Sequence, residues 1–272
     1  MESSAVKRFA AALAAASALG ACAGAGAGDR AAVARNVGPD HAQANPARID
    51  PEARARVGRE DMLTQMAFWA AEYQTFPNDL EAAEKFADTL RRGGRYDRAA
   101  QIAGEAAQRF PDSAPLLMTL GLSQIAAGHP REALRPLAMV AAADAEDHRA
   151  RSALGAALDQ VGRFADARRA YQEALAIKPD DPAVLTNIGM SHLLSGEPEE
   201  AEAVLRQAAA LPGAPPETRQ NLAIALALQG RFEEAERIER IDLPPSIVAE
   251  NMSYLRGLTS DSRRWGDMGG NR

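Results

Sequence analysis

One glycine recurs every 34 residues, at Gly94, Gly128, Gly162, Gly196 and Gly230, and an alanine follows each at the same offset, at Ala99, Ala133, Ala167, Ala201 and Ala235. Two columns that hold register through five copies without a gap constrain the chain to a tandem array. A period of this length marks supersecondary units that bury their apolar faces only against their neighbours. Between the glycines the apolar residues return at helical spacing, and proline or polar clusters close each unit. The chain therefore reads as all-α, a solenoid of five helical hairpins from Leu80 to Ala249, with glycine breaking the chain between the two helices of each.

The copy from His148 to Asp181 carries Leu154-Gly155, Leu158, Gly162, Phe164, Ala167, Tyr171, Ala174 and Pro179. These residues and the 34-residue length resemble the tetratricopeptide repeat (TPR). Leu154 and Leu158 pack the first helix, while Gly155 and Ala167 are small enough for the two helices to approach closely. Phe164 and Tyr171 lie seven apart on one helical face, and Pro179 stops the second helix. Phe76-Pro77-Asn78-Asp79 stands one period before Phe110-Pro111-Asp112-Ser113, so a helix from about Arg59 to Thr75 is expected as the second half of an incomplete copy. At the other end Leu243-Pro244-Pro245 cuts the fifth hairpin short, and a helix from Ile247 to Leu258 is expected to cover the last apolar face. The solenoid then spans 58–258, and 259–272 is expected to be disordered.

The N-terminal stretch has a different character. Lys7 and Arg8 precede an uncharged run from Phe9 to Leu19, too short to span a bilayer as a helix, which predicts a secretory signal. Leu19-Gly20-Ala21-Cys22 resembles a bacterial lipobox. That resemblance implies a signal peptide over 1–21, a diacylglyceryl thioether on Cys22, and acyl chains that anchor the mature chain in a membrane. A soluble periplasmic protein cut after an Ala-x-Ala-like site is the alternative. Ala23 follows the cysteine where an aspartate would favour inner-membrane retention, so the expected location is the periplasmic face of the outer membrane. Residues 22–57, rich in Ala, Gly and Pro, read as a flexible tether.

Several function classes find no support. A net charge of −6 and a pI near 5.4 argue against a nucleic-acid surface, which needs clustered cations to displace phosphate counterions. Cys22 is the one cysteine, which excludes an internal disulfide and a multi-cysteine zinc site. His41, His129, His148 and His192 have no partners at metal-ligand spacing, and His192 is expected to pack as a semi-polar core residue. Glu199-Glu200 and Glu233-Glu234 open second helices, where negative charge suits the helix dipole. No phosphate loop or nucleophile motif is present. The expectation is a chain that is not an enzyme, with no cofactor, metal or small-molecule substrate.

In a TPR array the first helices line a concave face, through repeat positions 2, 5, 6, 9, 12 and 13. Counting from Leu80, the first copy places Glu81, Glu84, Asp88, Arg91 and Arg92 there, a charged rim. The second places Met118, Leu122 and Ile125, the fourth Asn187, Met190, Leu193 and Leu194, and the fifth Asn221, Ile224 and Leu228. Methionine and leucine on such a surface predict a groove for an apolar peptide or amphipathic helix, and Asn187 and Asn221 could hydrogen-bond a ligand backbone. Packing of Met190, Leu193 and Leu194 between hairpins, with the asparagines bonded inside the fold, is the competing reading.

The stretches Leu211-Pro212-Gly213-Ala214-Pro215-Pro216-Glu217, Arg219-Gln220-Asn221-Leu222-Ala223 and Leu228-Gln229-Gly230-Arg231-Phe232 resemble the TPR lipoproteins of tight-adherence (Tad, or Flp) pilus assembly. Asp242-Leu243-Pro244-Pro245, with Asn251 and Tyr254-Leu255, resembles their tail. The resemblance implies an outer-membrane scaffold that assists assembly or localisation of the pilus secretin, much as a pilotin does, with the secretin or another assembly component as protein partner. A general periplasmic adaptor that recruits envelope or peptidoglycan enzymes is the alternative.

Overall fold

The computed structural model describes residues 51–269, with side chains described through residue 259. The expected signal peptide, Leu19, Gly20, Ala21, Cys22 and the expected tether up to residue 50 lie outside the described residues. Thirteen helices follow one another among the described residues: α1 (Pro51–Val57), α2 (Met62–Thr75), α3 (Leu80–Arg92), α4 (Tyr96–Ala107), α5 (Ala114–Ala126), α6 (Pro130–Ala143), α7 (His148–Gln160), α8 (Phe164–Ile177), α9 (Pro182–Ser195), α10 (Pro198–Ala210), α11 (Pro216–Leu228), α12 (Phe232–Glu239) and α13 (Pro245–Gly269). They divide into two compact units, residues 51–123 and residues 124 onward, with the boundary inside α5.

The glycine column works through backbone conformation. All five glycines adopt positive φ, +79° at Gly162 and +81° at Gly196, a left-handed geometry in which a Cβ would be strained. At Gly162 the amide donates to the Asp159 carbonyl and the next amide, of Arg163, donates to the Leu158 carbonyl at 2.9 Å. That pair of bonds is a Schellman closure, which satisfies the last carbonyls of the first helix and turns the chain into the second. The first helices α3, α5, α7 and α9 open on a polar residue at the same period, whereas α11 opens on Pro215. Asp79 accepts from the Ala82 amide, Ser113 from Leu116, Asp147 from Arg149 and Ala150, and Asp181 from Ala183 and Val184, each satisfying donors that a helix start leaves unpaired.

A second glycine column works through space. A Cβ on Gly155 would stand 2.5 Å from the Tyr171 ring, and one on Gly189 would stand 2.4 Å from Leu205. The first helices α7 and α9 lack a side chain where their own second helices insert Tyr171 and Leu205. Tyr171 and Leu205 are buried, so the hairpins close on a size match rather than on alternating layers of similar residues.

The first unit differs from the expected tether at its N-terminal edge. Residues 51–57 form α1, and Arg54 gives the reason. Its buried guanidinium donates from Nε to Glu72 at 2.7 Å, from Nη1 to Glu81 at 2.8 Å and from Nη2 to Asp79 at 2.9 Å, and lies 5.6 Å from the centre of the Trp69 ring. Burial works against its charge, but the bonds to Asp79, Glu72 and Glu81 outweigh it and hold the guanidinium protonated more firmly than usual. Arg54 stands one period before Asp88. With α2, therefore, α1 makes a short hairpin in register with the copies that follow, where only a half-repeat helix was expected. Trp69, Phe86, Ile102 and Leu116 form the core beneath it.

The second unit ends in α13, which extends beyond the expected Leu258 to Gly269. Val248, Met252 and Leu255 are buried on one face. Met252 falls one period after the buried Thr218, and Gly257 one period after Ala223, so α13 occupies the place of a sixth first helix. A Cβ built on Gly257 meets no atom within 4 Å, in contrast to Gly155 and Gly189. Ser253 and Arg256 of α13 are exposed, and the Arg256 guanidinium lies 5.2 Å from the centre of the Phe232 ring of α12.

Candidate functional site

First-helix positions separate by exposure. Position 12 is buried in the third, fourth and fifth copies by Asp159, Leu193 and Ala227, and Leu193 is only 1% exposed. Leu193 therefore packs within the solenoid and does not present itself to a ligand, which corrects its assignment to the groove. Asn221 is buried at 7% exposure. Asn187, half-buried, donates from Nδ2 to Ser152 Oγ at 3.1 Å, so its amide is spent between neighbouring first helices. Thr186 likewise meets Thr218 at 2.7 Å. The shift has a simple origin: Asp159, Thr186 and Asn187 each bond a residue of the adjacent first helix, and one helix's own periodicity cannot report that.

Position 9 stays half-buried throughout, as Asp88, Leu122, Ala156, Met190 and Ile224, and position 13 stays accessible as Arg92, Ala126, Gln160, Leu194 and Leu228. Met118 and Ile125 on α5 are also half-buried. In the second unit the first helices α7, α9 and α11 thus present Ala156, Met190 and Ile224 side by side, with Leu194 and Leu228 one turn on. At positions 5, 6, 9 and 13 these three helices carry no charged residue. The surface can bury an apolar segment without desolvating an ion, and its methionine can adapt to the partner's shape.

The first unit presents the opposite chemistry on the same positions. Glu84, Lys85, Asp88 and Arg92 of α3 are all charged. Glu81, Lys85, Asp88 and Arg92 line a cleft of about 610 Å³ with Pro51, Arg54 and Ala55 of α1 and Gln65 and Trp69 of α2. Asp88 takes Arg91 at 2.7 Å and Arg92 at 2.9 Å, so these charges are largely paired within the fold.

Behind the apolar face lies a polar network that the sequence reading did not single out. Asp159 accepts from Tyr171 Oη at 2.9 Å and from Ser191 Oγ at 2.7 Å. Burial pushes its carboxyl up to about 6, against the opposing effect of those two bonds and of Arg168. Arg168 donates to Ser195 and Glu197, at 3.1 and 3.2 Å. His192, expected as a core residue, sets its Nδ1 2.7 Å from Glu197 Oε2. Burial works to raise the Glu197 carboxyl, but the bonds from His192 and Ser195 and the charge of Arg168 hold it below the usual range. A signal was present: Asp159 is the single carboxylate in a column that reads leucine and alanine in the next two copies.

The motif stretches that carry the family resemblance touch one another. Arg219 on α11 grips Asp242 with Nε at 2.5 Å and Nη2 at 2.7 Å, a bidentate pair. Asn251 on α13 donates to both oxygens of the buried Glu239, each at 3.2 Å, and burial raises that carboxyl against the Asn251 bond. The Asp242-Leu243-Pro244-Pro245 turn is thereby fixed between α12 and α13. Among the described residues no cluster of His, Cys, Asp and Glu could hold a metal ion, and no helix is long and apolar enough to cross a membrane.

Stacked helical hairpins with an accessible first-helix face define a repeat scaffold. Residues 90–157 and 160–214 match one tetratricopeptide-repeat family model, and residues 216–238 match a second; the chain belongs to the tetratricopeptide-repeat family. A TPR repeat-containing protein of Pseudomonas aeruginosa is 30% identical over 120 residues, 44% of this chain and 20% of that protein. The chain therefore matches about a fifth of that relative's length. A thermophilic TPR protein of Thermus thermophilus shares the fold, with a TM-score of 0.56 and 23% identity over 64% of this chain and 97% of the other. MamA of Desulfovibrio magneticus RS-1, from residue 41 to its end, does so with a TM-score of 0.53 and 19% identity, over 58% and 89%.

Proposed function

We propose that this chain is a lipid-anchored TPR scaffold on the periplasmic face of the outer membrane, serving assembly of the tight-adherence (Flp) pilus. In this reading Cys22 carries the acyl chains, and the solenoid holds a segment of the pilus secretin or of another assembly component, assisting its assembly or localisation. The observation that carries the binding step is the uncharged first-helix face of α7, α9 and α11. Met190 and Ile224 sit there half-buried on a rigid backbone, in the arrangement by which grooves receive an apolar peptide or amphipathic helix. The assignment to pilus assembly rests on the motifs within 211–223 and 242–245 and on the lipobox-like residues 19–22.

The test combines anchor and face. Cys22→Ser should release the protein from the membrane fraction. The double substitution Met190→Glu and Ile224→Glu should leave the circular-dichroism spectrum unchanged and weaken binding to purified secretin at least about tenfold, since a buried unpaired charge opposes docking. Unchanged secretin binding by the double variant would remove this face as the site. A bacterium lacking the gene that still places assembled secretin in its outer membrane would remove the pilus role.

A further inference from the structure

We propose that Asp159 is a proton-operated latch between the third and fourth repeats, locking α7 against α8 and α9 in mild acid and loosening that joint at neutral pH. It goes beyond the scaffold role and does not depend on the identity of a partner.

Asp159 is 6% exposed, at a position that its neighbouring copies fill with Leu193 and Ala227. A carboxylate buried in an apolar column is costly unless a cation meets it. The groups facing it are Tyr171 and Arg168 from α8 and Ser191 from α9, with His192 and Glu197 beyond. Of the cations, the Arg168 guanidinium hydrogen-bonds Ser195 and Glu197, and the His192 ring meets Glu197. Asp159 is left with two hydroxyls, one from each neighbouring helix.

Those hydroxyls suit either protonation state. Both donate to the carboxylate, and either can turn to accept once the carboxyl carries its own proton. The contacts survive protonation while the buried charge disappears. Ser191 follows Met190 directly, and Asp159 lies one turn after Ala156. The latch therefore sits immediately behind the accessible apolar face and controls how firmly its two first helices are held.

The sign follows from linkage. Burial raises the folded-state carboxyl from 3.8 to about 6, so the fold holds this proton more tightly than the unfolded chain does. The stabilisation is complete below the ordinary carboxylate value and is lost as pH rises through about 6. About two pKa units correspond to about a hundredfold in the folding equilibrium constant.

Denaturant unfolding of the full chain from about pH 4 to about pH 8 tests this, comparing wild type with Asp159→Asn. The amide keeps the shape and satisfies both hydroxyls. The variant should be more stable at about pH 7.5, by up to about a hundredfold in the folding constant, and its advantage should vanish by about pH 4. Tyr171→Phe removes one donor from the carboxylate and should move the midpoint of the pH dependence upward. His192→Gln should leave the pH dependence in place. Amide exchange at matched pH should show α9 more protected in Asp159→Asn than in wild type at about pH 7.5, and equally protected at about pH 4.5. An Asp159→Asn profile with the wild-type slope, or a His192→Gln profile that is flat, would overturn the latch. None of these measurements involves a partner, so failure of the docking reading leaves them intact.

Discussion

The first helices α3 and α9 occupy equivalent places in the repeat, yet the same four positions are wholly charged in one and wholly uncharged in the other. Glu84, Lys85, Asp88 and Arg92 on α3 correspond to Thr186, Asn187, Met190 and Leu194 on α9. The difference follows from what each helix must meet. The helix α1 closes on α3 through Arg54, whose guanidinium pairs with Glu81 at 2.8 Å, so charge on this face is met by charge. The α9 face is flanked by α7 and α11, which bring Ala156 and Ile224 instead. A repeat architecture fixes backbone and core while leaving the accessible columns free, so the first and fourth copies can carry opposite surface chemistry on the same backbone.

The comparison breaks most visibly at Arg54. Arg54→Ala leaves Glu72 and Asp79 without their shared cation and should destabilise the first unit by about 3 kcal/mol, with α1 becoming the first site of limited proteolysis. Stability of the second unit should be unchanged, and a uniform loss across both would deny α1 its capping role. Gly189→Ala probes the uncharged side. Its Cβ would enter the Leu205 side chain, and overpacking of this kind costs about 2 kcal/mol, measured as a lowered unfolding midpoint. Gly162→Ala meets no atom within 4 Å and should cost only the left-handed backbone penalty, about 1 kcal/mol; a larger loss than Gly189→Ala would reverse the distinction between the two glycine columns. Arg219→Ala, which releases the Asp242 turn, should have the smallest effect on stability, under about 1 kcal/mol for a partly exposed pair, and should appear chiefly as faster amide exchange in α13.

Much of the fold was legible because its signals are local. A glycine that requires positive φ and an alanine that must be small recur where the backbone or the hairpin contact demands them, whatever the rest of the chain does. The expected start of α13 near Ile247 followed from Pro244-Pro245 in the same way. The caps at Asp79, Asp147 and Asp181 are equally local signals, each bonding amides within three residues of itself. Arg54 was not legible: an arginine in an Ala- and Pro-rich stretch looks like tether until Glu72, Asp79 and Glu81 converge on it from two other helices and the turn between them. Leu193 failed differently. One helix offers Leu193 and Leu194 as adjacent apolar residues, and only the packing of the neighbouring hairpin decides that the first is sealed and the second accessible.

The sequence by itself determined the period, the all-α hairpins, the breaks between them and the class of the chain, because each rests on backbone geometry or on the size of a single residue at a fixed spacing. The tertiary structure decided which first-helix columns meet solvent, that residues 51–57 form a clamped hairpin arm, and that Asp159 is a buried, raised carboxyl behind the apolar face. Those properties depend on groups brought together from different helices. Burial and electrostatics are sums over spatial neighbours, and a linear pattern specifies them only after the chain has packed.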